Sequence, residues 1–326
     1  MKKIIILFFF FVTTAFGLDD FREEDKIRIN EAIRIFDHCK NLWSGWDSAN
    51  FAILLVTNDN EYLIKHAKPT DDFKVIYFDS MLNSNIYTRP RLFSNNLLAT
   101  LPAVNGISTI VIGTPENTGR SSIEWILTLI HEHFHQLQYS NENYLLNVDA
   151  LNLAGDDKSG MWMLNYDFPY EDEIISNQYK TLIQSAKAAL INFHSIEFDS
   201  MVKKYFSERE KFRSLLKEED YKYFSFQVWQ EGIARYTEVK IAECIKNDYN
   251  FSEAFSRLDD NVYSDSFFAG IYQEQLRRAD NQNLSVNKRN CFYTLGALEG
   301  LLVDEINPVW IDQYFKEMFF MEKYFR

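Results

Sequence analysis

A well-signalled helical pattern runs from Ser121 to Ser140. Ile123, Ile126, Leu127 and Ile130 recur at the spacing of one helix face, and no Gly or Pro intervenes. Ser121 followed by Glu124 reads as a capping box, which fixes where the helix begins. Upstream, the pattern is shorter. Residues 19–43 are charged but periodic, with Ile29, Ala32, Ile33 and Phe36, and predict an amphipathic helix. Residues 51–56 are a continuous apolar run that ends at Asn58-Asp59-Asn60, and residues 61–66 follow it, which predicts strand, turn and strand. Residues 73–78 predict a third strand, and residues 108–113 the clearest one. Residues 90–105 read as loop.

Beyond Ser140 the pattern changes. Residues 141–173 are rich in Asn, Asp, Gly and aromatics, and read as an irregular insertion over a cleft. Helical spacing then returns over residues 174–214, 221–247, 267–278, 292–306 and 310–324. Asn307-Pro308 reads as the cap and first residue of the last helix. The expected fold class is α+β. A small mixed sheet with helices forms an N-terminal lobe (residues 18–140), and residues 141–326 form a mostly helical lobe.

Composition adds three constraints. Met1-Lys2-Lys3, an apolar run over residues 4–12, and Ala15-Phe16-Gly17 together have the form of a cleavable secretory signal over residues 1–17. That run is well short of the ~20 residues needed to span a bilayer, and no later stretch is long and apolar enough. The expected location is therefore periplasmic or secreted, with no membrane span after cleavage. The net charge of −13 argues against nucleic acid or an anionic membrane as partner. Cys39, Cys244 and Cys291 are an odd set without close spacing. They predict no disulfide framework and no cysteine metal site; at most one bridge could form, and buried free thiols are the expected state.

The candidate chemistry sits on the long helix, which holds three of the six histidines. In His131-Glu132-x-x-His135 the two histidines fall one turn apart on one face, where neutral imidazoles can share one Zn²⁺. Glu132 is rotated by about 100° from His131. It therefore points beside a metal, the position for a base that deprotonates water. His133 faces away and reads as a packed or hydrogen-bonded residue, and His38, His66 and His194 have no supporting context. A third ligand is expected from elsewhere. Glu231 stands in an otherwise apolar helix with Phe224, Phe226, Val228 and Trp229, where a carboxylate requires a partner. Gly232 beside it would admit another backbone closely. A solvated Glu231, or one paired with Arg235 at i+4, is the alternative.

His131-Glu132-x-x-His135, followed by Glu231-Gly232-x-Ala234-x-Tyr236-x-Glu238, resembles the gluzincin metallopeptidases. The second stretch is similar to the Glu-Gly-x-Ala-x-Tyr-x-Glu pattern of aminopeptidase N-like enzymes. The resemblance implies a zinc cleft between the lobes, with His131, His135 and Glu231 as ligands and Glu132 as general base and acid. Glu238, two turns from Glu231, stands where an acid could orient a ligand histidine from behind, a solvated Glu238 being the alternative; Tyr236 is a second residue behind the ligands and the alternative oxyanion donor. The resemblance also implies that the strand at 108–113 lies along the cleft edge. Tyr293, in Tyr293-x-x-Gly296, is similar to the tyrosine that stabilises the oxyanion in such enzymes; an aromatic core residue is the alternative there. The implied activity is secreted, zinc-dependent hydrolysis of a peptide or protein substrate. Three features depart from the pattern: the gap from His135 to Glu231 is long, Arg235 replaces an acid, and no Gly-x-Met-Glu-Asn motif is present. A zinc hydrolase of a non-peptide bond, or a non-catalytic binding module on the same fold, remain the rival readings.

Overall fold

The apolar run at residues 51–56 is buried on both faces of a sheet, which explains why it shows no alternation. Ile53 and Leu55 join the main core, whereas Leu54 and Val56 join a smaller cluster with Leu63, Phe73, Val104 and Val111. The computed structural model describes residues 21–246, 248–260 and 265–325. The signal expected over residues 1–17 lies outside them. Among the described residues the first helix is α1 (Glu23–Cys39), followed by β1 (Ile53–Val56), β2 (Asn60–Ile64), β3 (Lys74–Asp79), β4 (Ser84–Pro90), β5 (Leu98–Val104) and β6 (Ile107–Gly113). The sheet order is β3-β4-β2-β1-β6-β5, with β1 and β6 parallel and the other pairs antiparallel. A short α2 (Pro115–Thr118) then leads into α3 (Ser122–Ser140), which lies on the sheet between α1 and the helical portion. Glu124 Oε2 accepts from the Ser121 backbone N–H at 2.9 Å, as the capping pattern predicts.

The rest of the chain is helical: α4 (Tyr144–Ala150), α5 (Trp162–Asn165), α6 (Glu173–Ile191), α7 (Phe198–Leu215), α8 (Glu218–Gln227), a π-helical turn (Val228–Gly232), α9 (Ile233–Ile245), α10 (Glu253–Ser256), α11 (Asp265–Asp280), α12 (Leu284–Asn287) and α13 (Asn290–Ile306). The protein is thus α+β, a six-stranded mixed sheet with a helical C-terminal portion. One apolar cluster runs from Phe21 to Tyr324 through both portions. Among the described residues, no helix is long and apolar enough to cross a membrane.

Five sequence expectations require correction. Residues 90–105 are not all loop, because β5 occupies the sheet edge beside β6. Pro102 masks this strand in the sequence. An edge position tolerates it, since the outer side needs no ladder hydrogen bond, and the register shifts between Leu101 and Val104. It follows that β5, not the strand at 108–113, is the edge nearest α3. β4 was not predicted either; it is polar in sequence and buries Arg89 against Glu61 at 2.7 Å. The stretch 174–214 is two helices, broken at residues 192–197. The last expected helix is two 3₁₀ turns instead, Trp310–Gln313 and Met321–Phe325. Asn307 donates its side-chain amide to the Tyr324 carbonyl at 2.7 Å, and the segment follows the packing of Trp310, Tyr314, Phe319 and Tyr324 rather than a helical period.

The cysteines are the fifth. Cys39 at the end of α1 and Cys244 near the end of α9 form a disulfide, with Cα atoms 6.1 Å apart, so free thiols are the wrong state for this pair. Cys291 is a buried free thiol.

Candidate metal centre

α3 brings His131 and His135 to one face, with ring centroids 5.0 Å apart. The third group arrives from the long helix of the C-terminal portion. Glu231 lies inside the π-helical turn Val228–Gly232, a distortion that inserts one residue per turn and re-aims the side chains around it. Glu231 Oε2 is 3.8 Å from His131 Nε2 and 3.6 Å from His135 Nε2. The turn is held by close backbone contact with α13. A Cβ on Gly232 would lie 2.5 Å from the Gly296 Cα, and one on Gly296 would lie 2.3 Å from the Val228 carbonyl oxygen. Only glycine at both positions permits that approach.

The spacing and the outer hydrogen bonds both suit a shared ion. Distances of 3.6–3.8 Å are too long for hydrogen bonds. A tetrahedral ion with bonds of about 2.0–2.2 Å separates its ligands by about 3.3–3.6 Å. One ligand atom from each residue lies within 4.8 Å of the others. His131 Nδ1 is 2.7 Å from Glu238 Oε1, so its proton belongs on Nδ1 and its Nε2 lone pair faces Glu231. His135 Nδ1 is 2.7 Å from Gln138 Oε1. The Gln138 amide is in turn oriented by donating to the Gln230 carbonyl at 3.0 Å and to the Tyr314 hydroxyl at 2.8 Å. Both tautomers, assigned from these partners, leave Nε2 free to ligate. The side chain of Glu231 retains 20% exposure, so the group is open on one side.

Charge reinforces the arrangement. Burial resists a proton on His131, but Glu231 and Glu238 overcome it and push its pKa up to about 10. Burial likewise resists protonation of His135, and Glu231 turns its shift upward. Glu231 pays a desolvation penalty, yet the two imidazoles hold its carboxyl well below the usual carboxylate range. Glu238 is lowered despite burial by Arg235 and His131, and Arg235 Nη1 lies 3.5 Å from its Oε2. Arg235 therefore pairs with Glu238, which leaves Glu231 to the histidines. A cation entering here would displace imidazole protons.

Glu132 is 7% exposed, beside this group. The Thr100 hydroxyl, on β5, is 2.8 Å from Glu132 Oε2 and 2.8 Å from the Glu132 carbonyl oxygen, with one proton to give. Sequence reasoning missed Thr100 because β5 was unread. It also missed Tyr139, one turn beyond His135 on the same face, whose phenol is raised first by burial and then by the charges of Glu231 and Glu132. The i, i+4, i+8 spacing of His131, His135 and Tyr139 was the available signal.

The other nominated residues fall in distinct places. Tyr236 is buried and donates its hydroxyl to Asp304, 2.8 Å from each carboxylate oxygen, rather than to a ligand. The Tyr293 hydroxyl meets Arg289. His133 stacks on Phe51 at 4.0 Å between centroids and meets Phe36 edge-on at 4.4 Å, and burial pushes its pKa down to about 3. It is a neutral core residue on the far side of α3. His38 sits near Cys39 and Cys244, but their sulfurs are bonded to each other and offer no thiolate. His66 is buried and accepts from the Lys68 backbone N–H at 3.2 Å, and His194 makes a tilted ring contact with Phe193. Comparison with known protein families, with curated proteins and with solved structures finds no match to this chain.

Proposed function

We propose that the protein is a secreted, gluzincin-like zinc peptidase. The observation that carries this reading is the convergence of His131 Nε2, His135 Nε2 and Glu231 Oε2, with Glu132 next to them on the same helix. His131, His135 and Glu231 would hold the ion. Zinc, when bound, supplies Lewis-acid polarisation of the scissile carbonyl and a site for water. Glu132 takes the proton from the attacking water and returns it to the leaving amine. Tyr293 is the proposed oxyanion donor. Because Arg289 donates to its oxygen, Tyr293 keeps its own proton to give. β5 is an edge strand beside Glu132, and its open side suits pairing with an extended substrate. A cleaved leader and the disulfide are compatible with an oxidising compartment.

The test is metal dependence. The zinc-loaded protein should cleave members of a random peptide library, lose that activity to a chelator and regain it with Zn²⁺. His135→Ala and Glu231→Gln should lower zinc content in elemental analysis. Undiminished cleavage by protein free of zinc would end the proposal.

Thr100 makes a narrower prediction. A hydrogen bond to a charged group contributes about 1.5–3 kcal/mol, so Thr100→Val should lower kcat roughly tenfold or more, with zinc content unchanged. Thr100→Ser should restore it. Equal kcat in the valine and serine variants would show that the hydroxyl does not position the base.

A further inference from the structure

The turn between α12 and α13 presents two adjacent cations, Lys288 and Arg289. Neither lies within ion-pair distance of a carboxylate among the described residues, in a chain whose net charge is −13. Lys288 is a non-glycine residue at φ 48°, a conformation that costs free energy and is held by its surroundings. Its Nζ is 6.0 Å from the centroid of the Tyr170 ring. The Arg289 guanidinium is half-buried, 5.5 Å from the Tyr293 ring centroid, and donates to the Tyr293 hydroxyl. These are contacts to tyrosines, not neutralising pairs.

The pair stands at the N-terminal end of the helix that packs on the ligand-bearing one. Arg289, Tyr293, Gly296 and Gly300 recur at i, i+4, i+7 and i+11 and so share one face of α13 and its N-terminal flank. Gly296 touches Gly232, the neighbour of Glu231, and a Cβ on Gly300 would strike the Tyr236 ring. The stripe therefore runs along the ligand-bearing helix. Arg289 is seven residues from Gly296, about 10 Å along the axis. That is the reach of about three extended residues. Tyr223, on α8 and eight residues before Glu231, has its phenol raised by burial, against an opposing hydrogen bond with Tyr170 and the nearby charge of Arg289.

We propose that Lys288 and Arg289, framed by Tyr293 and Tyr170, form a subsite that receives a substrate carboxylate within about three residues of the scissile bond. The inference rests on the peptidase reading for its substrate class. A planar guanidinium without an acidic partner is suited to a carboxylate, which it can bind through two parallel hydrogen bonds. The carboxylate has two possible sources, the free C-terminus of a peptide or an acidic side chain.

The experiment compares zinc-loaded full-length protein on matched short peptides, free acid against C-terminal amide, and internal Asp against Asn. The wild type should favour one acid form about tenfold, mainly through KM. A preference in the first pair identifies a C-terminal carboxylate, and one in the second an acidic side chain. Arg289→Gln should erase that ratio, Arg289→Glu should invert it, and Lys288→Gln, at an exposed position, should reduce it in part. Ratios near one in the wild type, or a ratio unchanged in Arg289→Gln, overturn the subsite. A second measurement separates this outcome from failure of the peptidase reading: calorimetric titration with N-acetylphenylalanine and with its amide. Carboxylate-selective binding that depends on Arg289, without peptide cleavage, would reject the peptidase and retain the subsite. Cleavage with both acid-to-neutral ratios near one would do the reverse.

Discussion

Glu132→Gln should abolish peptide turnover while leaving zinc bound. The substitution keeps the shape of the side chain and its capacity to accept from Thr100, but removes the basic carboxylate. General acid–base catalysis contributes about 10²–10⁴-fold, equivalent to about 2.7–5.4 kcal/mol of barrier. The expected result is a fall in kcat/KM of that order, with zinc stoichiometry equal to wild type by elemental analysis. Glu132 is not one of the three groups His131, His135 and Glu231, so all three ligands remain in the variant. If Glu132→Gln turned over substrate at the wild-type rate, another group would have to move the proton and the proposed mechanism would fail. If it lost zinc instead, Glu132 would have to be reassigned as a ligand.

The second large effect concerns the fold that carries the site. The Cys39–Cys244 disulfide has a sequence separation of 205 and ties α1, which packs on α3, to α9, which continues the Glu231 helix. Cross-linking so long a loop removes much conformational freedom from the unfolded chain, by about 5 kcal/mol on the chain-entropy account. Cys39→Ser combined with Cys244→Ser should lower the unfolding free energy by that order, measured by urea denaturation against the oxidised wild type. Reductant should destabilise the wild type and leave the double variant unmoved. Equal stability of wild type and double variant under oxidising conditions would mean that the cross-link contributes nothing. Because both partners sit at helix ends away from the histidine face, zinc binding should survive in whatever fraction stays folded.

Much of this protein was readable one stretch at a time. The α3 helix, its cap at Ser121 and the sharing of one face by His131 and His135 follow from helix periodicity and local hydrogen bonding. The exclusion of His133 followed from the same periodicity. The unusual pair Glu231-Gly232 was also legible, because a carboxylate among Phe224, Phe226, Val228 and Trp229 demands a partner and a glycine beside it demands a close neighbour. The sequence could not say that the neighbour is Gly296, that Glu231 stands in a π turn, or that Glu238 lies 2.7 Å from His131. Those facts depend on how two helices far apart in the chain are pressed together.

What the sequence determined by itself was thus the set of elements whose signal is local: the apolar strands β1, β2, β3 and β6, the capped histidine helix, and the periodic helices after residue 174. Tertiary structure decided everything whose energy is shared between distant segments. β5 was hidden by Pro102, which only an edge position makes acceptable. Thr100 acquired its place at Glu132 only when that edge formed. The pairing of Cys39 with Cys244, and the collapse of the expected last helix into turns around Trp310 and Tyr314, came from packing that no single stretch specifies. Local hydrogen-bond and hydrophobic periodicities act over a few residues and are written into each stretch. The meeting of His131, His135 and Glu231 is a property of the folded core, which brings α3 and the helix of the C-terminal portion against one another.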